Sequence, residues 1–116
     1  MKRTFVAFPV VTRLFQNLGV PDEAIREMER EIMQEAGDMV KGTGGLRKIR
    51  CAAFAKGKSG GVRVIYADYP EIGLCLLVVA FAKNVTGNLS RAEQNTLRKV
   101  KSALDKQVKG RAGMRS

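Results

Sequence analysis

The sequence predicts a small α+β domain: an antiparallel sheet of about four strands packed by two N-terminal helices and one C-terminal helix. Three observations predict it. The run Leu74 to Phe81 is almost wholly apolar, as a central strand covered on both faces must be. Two stretches repeat apolar residues at three- and four-residue spacing, Ala24 to Ala36 and Leu97 to Val108. The chain of 116 residues, 45% hydrophobic, suffices for one core.

Taken in order, Thr4 to Ala7 reads as a short strand that Pro9 ends. Val10 to Leu18 is a short helix with Val10, Val11, Leu14 and Leu18 on one side, and Gly19 stops it. Pro21 suits a first helical position, and Asp22 and Glu23 complement the positive start of the second helix. Ala24, Ile25, Met28, Ile32, Met33 and Ala36 form its buried side, and Gly37 is its expected stop. Lys41 to Gly45 reads as a flexible connector. Strands follow over Leu46 to Ala53 and Val62 to Tyr66, joined by the basic, glycine-rich turn Lys56 to Gly61. A turn carrying Asp68, Pro70 and Glu71 leads into the apolar strand. Ser90 and Glu93 form a capping box for the last helix, whose buried stripe is Leu97, Val100, Leu104 and Val108. The domain covers residues 1–110, and the basic tail 111–116 is predicted to be disordered. In this arrangement the helices lie on one face of the sheet.

Charge narrows the partners. Lys and Arg number 21 against 11 Asp and Glu, a net +10. Seven of the 11 acids lie between Asp22 and Asp38, whereas Met39 to Ala67 holds no acid and seven cations. A segregated positive region points to a polyanion, with RNA the foremost candidate. There is no His, so no imidazole base, and two distant cysteines, Cys51 and Cys75, make no zinc motif. They read as small core residues in a reducing cytoplasm. No P-loop pattern occurs, and the longest apolar run is too short to span a bilayer. A cytoplasmic protein without metal or cofactor is expected.

The remaining chemistry is Lys and Arg on strands. Alternation puts Lys48 and Arg50 on one face of their strand and Ile49 and Cys51 on the other. Arg63 shares a face with Ile65, opposite Val62, Val64 and Tyr66. A hairpin carrying Lys56 and Lys58 joins the strands, so several cations converge on one patch. Such a patch binds phosphate and can stabilise charge building on a pentacoordinate phosphorus. A single edge-strand arginine is commonly just solvated; the convergence carries the inference. Lys83 closes the apolar strand as it leaves the sheet.

The motifs Gly42-Thr43-Gly44-Gly45-Leu46-Arg47-Lys48-Ile49-Arg50, Gly57 to Tyr66, Ala80-Phe81-Ala82-Lys83-Asn84 and Asn88 to Glu93 occur in this order over roughly residues 42–93. Together they closely resemble the HigB branch of the RelE/ParE toxin superfamily of bacterial type II toxin–antitoxin systems. The resemblance implies a microbial-RNase-like fold and a metal-independent mRNA interferase that cuts messenger RNA in the ribosomal A site. It also implies a HigA-like, helix-turn-helix antitoxin partner, so that DNA is met only through the antitoxin. By position Lys48 and Arg50 match the family's paired basic residues on the second strand, and Lys83 matches its lysine after the last strand; with the neighbouring cations the expected site is RNA binding by Arg47, Lys48 and Arg50 and catalysis by Arg63, Lys56, Lys58 and Lys83. Arg63 matches the arginine at the scissile phosphate. Asn84 stands where RelE carries an arginine, and RelE's C-terminal tyrosine has no counterpart near Leu89. Two other functions fit the same resemblance and charge: a ParE-like, non-enzymatic inhibitor of DNA gyrase, and a non-catalytic RNA-binding module.

Overall fold

A strand without polar side chains needs a dry layer on each side, and the sheet is built around one. The computed structural model describes residues 2–52, 61–82 and 89–115, with side chains to residue 110. In chain order the elements are β1 (Thr4–Ala7), α1 (Pro9–Leu18), α2 (Asp22–Met33), β2 (Asp38–Met39), β3 (Arg47–Cys51), β4 (Val62–Tyr69), a 3₁₀ turn (Pro70–Ile72), β5 (Leu74–Ala82) and α3 (Arg91–Arg115). They form one five-stranded sheet in the order β1-β5-β4-β3-β2. The α+β class with three helices is as expected, but the sheet is mixed. β1 runs parallel to β5, the other neighbours are antiparallel, and the two-residue β2 has too few residues to show a period.

The helices occupy both faces, not one. Val62, Val64 and Tyr66 of β4 pack with Cys75 and Leu77 of β5 against Val11 and Phe15 of α1 and Met28 and Ile32 of α2. The alternate residues Ile65, Ala67 and Tyr69 turn the other way, with Val78, towards Leu97, Val100, Leu104 and Val108 of α3. On β5 the register skips one residue: Ile65 faces Val79, but Tyr66 faces Leu77. Val78 is therefore the extra residue of a β-bulge, and Val78 and Val79 both face the α3 layer.

Local chemistry sets the ends of the elements. Pro9 takes a first-turn position of α1, and Gly19, at φ 63°, closes it. Pro21 is the residue before α2, not inside it. α2 stops at Met33, where Glu35 takes the left-handed conformation (φ 59°) expected of Gly37. Gly37 serves another purpose: a Cβ there would lie 1.9 Å from the Tyr66 hydroxyl. The capping box forms, with Glu93 N–H donating to Ser90 Oγ at 3.1 Å and Ser90 N–H donating to Glu93 Oε1 at 2.8 Å. α3 does not break at Gly110, and its backbone continues helical to Arg115.

Two further expectations are corrected. Asp68 is no turn former. It lies in β4 opposite Cys75, and its carboxylate receives both Nε (2.9 Å) and an Nη (3.1 Å) of Arg3. The pair is largely dry, with side chains 7% and 16% exposed, and the hydrogen bond to Asp68 lifts Arg3 further above its ordinary value. Removing one partner of so enclosed a pair costs about 3 kcal/mol. Nor is Lys41 to Gly45 a flexible connector. Thr43 is fully buried; its hydroxyl donates to the Val40 carbonyl (2.7 Å) and accepts from Leu46 N–H (3.2 Å). Gly42, Gly44 and Gly45 all have positive φ, and α3 rests on them: a Cβ at Gly42 would meet Gln94 Oε1 at 2.7 Å. Among the described residues no helix is long and apolar enough to cross a membrane.

The buried thiols make the fold alkali-sensitive. Burial pushes Cys51 up to about 11 and Cys75 up to about 12, and the Cys51 thiol donates to the Ala24 carbonyl. With the folded value above the unfolded one, the native state keeps protons that the unfolded chain releases. This stability is complete below about pH 9 and is lost as pH rises through 11 to 12. Between pH 8 and pH 10 the unfolding free energy should drop by about 2–3 kcal/mol for the two groups together. Urea titrations of the parent and of the Cys51→Ala/Cys75→Ala variant at both pH values measure it. An equal drop in both proteins would show that the thiols are not responsible.

Candidate nucleic-acid interface

Strand register assembles the basic face. Ile49 and Cys51 are drawn into the α1/α2 layer, so Lys48 and Arg50 must point to the α3 side of β3. In the ladder Lys48 faces Ile65, Arg50 faces Arg63, and Arg63 faces Phe81 on β5. Lys48, Arg50, Arg63 and Phe81 therefore share one face, as the alternation of the first three predicts. β2 pairs only as far as Lys48, opposite Asp38, so among the described residues the Arg50 end of β3 has no further strand beside it.

Arg50 and Arg63 are direct cross-strand neighbours, a spacing that brings Cβ atoms within about 5 Å. An anion that met both side chains would be held by two guanidinium groups at once. The Nη1 of Arg63 is buried and has no hydrogen-bond partner among the described residues, a costly state for a guanidinium nitrogen unless a ligand completes it. Gly61, at φ 113°, gives Arg50 its room: a Cβ there would lie 3.1 Å from Arg50 Nε and 3.2 Å from the Cys51 carbonyl.

Not every expected residue joins this face. Arg47 lies on the opposite side of β3, paired in register with Tyr66, and its Nη1 donates to the Gly37 carbonyl at 2.7 Å. Lys56, Lys58 and Lys83 fall outside the described residues. Phe81 and Gly61 were not among the expected site residues. A β5 alternation carried across the bulge would have been out of step at Phe81, and a glycine that makes room for a side chain leaves no periodic trace.

Neighbouring groups limit what else can act. Tyr66 is pushed up to about 12 by burial, and Tyr69 lies still further above the ordinary phenol range through burial and its bond to Asp105. Neither supplies a base near neutrality. Tyr69 OH donates to Asp105 Oδ1 at 2.7 Å, as does Lys101 Nζ at 2.6 Å, and the ammonium sits 5.2 Å from the Tyr69 ring centroid. Burial alone would raise Asp105, but these two donors outweigh it and hold the carboxyl below its usual value. A cleft of about 920 Å³ between α2 and the end of β3 is lined by Glu23, Glu27 and Glu31 together with Arg26, Arg30 and Arg50. Its three carboxylates balance its three guanidinium groups, so it offers a phosphate chain no net attraction.

The family model described as the RelE toxin of the RelE / RelB toxin-antitoxin system matches residues 3–111, from β1 into the last turns of α3.

The two faces of β3 divide its cations: Arg47 is hydrogen-bonded to the Gly37 carbonyl, whereas Lys48 is exposed on the α3 side. Arg47→Ala should lower stability by about 1.5–3 kcal/mol, the worth of a charge-assisted hydrogen bond. It should leave affinity for a single-stranded RNA nearly unchanged. Lys48→Ala should do the reverse, with stability altered by less than about 0.5 kcal/mol. Urea denaturation and fluorescence anisotropy on the same preparations decide it, and equal losses of RNA affinity in both variants would contradict the sidedness.

Proposed function

The chain belongs to the RelE family of toxins, the toxic halves of toxin–antitoxin pairs, and from that premise we propose that it is an mRNA interferase of the HigB type, an endoribonuclease that cuts message on the ribosome. Its partner is an antitoxin, which we take to be HigA-like with a helix-turn-helix domain. The observation that carries the nuclease reading is the Arg50–Arg63 pair, with Arg63 Nη1 buried and lacking a partner among the described residues. A guanidinium is always charged and offers a planar fork that grips two phosphate oxygens.

In this mechanism the ribose 2′-oxygen forms a bond to the adjacent phosphorus as its proton passes to a base. The bond to the 5′-oxygen breaks, and that oxygen takes up a proton. The products are a 2′,3′-cyclic phosphate and a 5′-hydroxyl. Arg63, with Arg50 opposite, neutralises the phosphorane between these two steps. Lys56 and Lys58 help to hold the phosphate, and Lys48 positions the strand. Lys83 or Lys48 moves the protons. Arg47, engaged with Gly37, contributes through the fold of the hairpin. Phe81, beside Arg63, offers a ring on which a base can stack. The reaction takes place in the cytoplasm, where ribosomes are.

Arg63→Ala should slow message cleavage by about 10²–10³-fold, by analogy with the loss of other oxyanion donors. Melting temperature and antitoxin binding should stay close to the parent's. Arg63→Lys should recover part of the rate, since the charge remains but the fork is lost. Product ends are read on the same samples. Ends with a 5′-phosphate and 3′-hydroxyl would refute the mechanism, and a folded Arg63→Ala variant cleaving at the parent rate would remove Arg63 from it. Loss of DNA supercoiling with intact message would transfer the chain to gyrase inhibition. RNA binding without either effect would leave a non-catalytic module.

A further inference from the structure

α3 carries a second set of cations that the sheet site does not use. Its inner stripe, Leu97, Val100, Leu104 and Val108, packs on the sheet. On the opposite side, Lys99, Ser102, Lys106 and Lys109 recur at spacings of three, four and three residues, and all four are exposed. They form one straight row about 15 Å long, at 1.5 Å rise per residue. Arg91, also exposed, continues the row towards the start of the helix.

The row has kept its charge because the acids of α3 are committed elsewhere. Glu93 accepts the Ser90 N–H of the capping box. Asp105 is turned towards the sheet by Tyr69 and Lys101, away from the outer side. Among the described residues Lys99, Lys106 and Lys109 have no carboxylate partner.

We propose that the outer row of α3 is a second phosphate-binding surface that docks on the backbone of double-helical RNA while the β3–β4 face takes the single strand. The row contains lysines and a serine and no apolar or aromatic anchor. A protein partner of matching stability would need such an anchor at its centre. Phosphate contacts in sequence-independent nucleic-acid binding come from these side-chain types. A straight helix side cannot follow a flexible single strand around the sheet, but it can lie along the fixed backbone of a duplex, which RNA presents with its wide, shallow groove. The proposal rests on the reading of the chain as a ribosome-acting toxin, because the ribosome supplies such duplexes beside its message.

The test uses the full-length chain and the triple variant Lys99→Gln/Lys106→Gln/Lys109→Gln, since glutamine keeps helix propensity. Two uncleavable probes are compared: a 12-base-pair duplex and a 12-nucleotide single strand, both of 2′-O-methyl RNA. Each duplex phosphate contact contributes about 0.9 to the slope of log affinity against log salt. The variant's slope on the duplex should therefore be shallower by about 2–3, with its single-strand slope unchanged. An unchanged duplex slope overturns the proposal, and so does an equal loss on both probes, which would mark the row as a general positive field. Loss of antitoxin binding with an intact duplex slope would reassign the row to an acidic protein. Cleavage by Arg63→Ala is scored separately, so a failure of the nuclease reading cannot be mistaken for a failure of the α3 contact.

Discussion

β5 has no polar side chain from Leu74 to Ala82, and such a strand is stable only with water excluded from both its faces. α1 and α2 supply one cover and α3 the other. Because β5 is central, β1 and β4 must flank it, and β3 can join only on the far side of β4. The Arg3–Asp68 pair, largely shielded from water, lies near the sheet end where β1 meets β5, with Thr4 N–H bonded to the Gly73 carbonyl alongside. The same requirement leaves β3 near the sheet edge, where its only outer neighbour among the described residues is the two-residue β2.

The basic face follows from this construction. A sheet ladder holds side chains at fixed partners, so Arg50 and Arg63 cannot separate without breaking the register that buries Ile49, Cys51, Val62 and Val64. Core packing thus fixes the two arginines at paired positions, which a flexible loop would not do. Gly61 leaves room for the Arg50 side chain, and Phe81 is the ladder partner of Arg63. The glycine turn at residues 42–45 completes the arrangement by letting α3 lie low on the hairpin, with Arg98 and Lys101 against Gly44 and Gly45.

Period and alternation were the legible parts of the sequence. Helical spacing located all three helices, the Ser90/Glu93 pattern gave a real cap, and the period of two placed Lys48, Arg50 and Arg63 on their correct side. The illegible parts were those without a period. An all-apolar run has no alternation to reveal the slip at Val78, so the register of Phe81 was hidden. The direction of β1 depends on where α1 and α2 return the chain, which four residues cannot encode. Arg47 looked like another site cation because composition counts charges without their side; the hydrogen bond to Gly37 shows it belongs to the other face. The glycines at 42–45 suggested flexibility, yet a buried Thr43 hydroxyl with two partners makes that turn one of the tightly specified parts of the chain.

The double cover also separates the molecule's charges. The acidic stretch, Asp22 to Asp38, lies with α2 on one side of the sheet, and the lysine-rich helix lies on the other. A body charged in this way has an electric moment across its sheet as well as a net charge. In the field of a polyanion it experiences a torque as well as an attraction, and within a screening length of roughly 8 Å it turns its α3 side forward before any contact forms. Orientation is then selected during approach, so fewer encounters are spent on the wrong face.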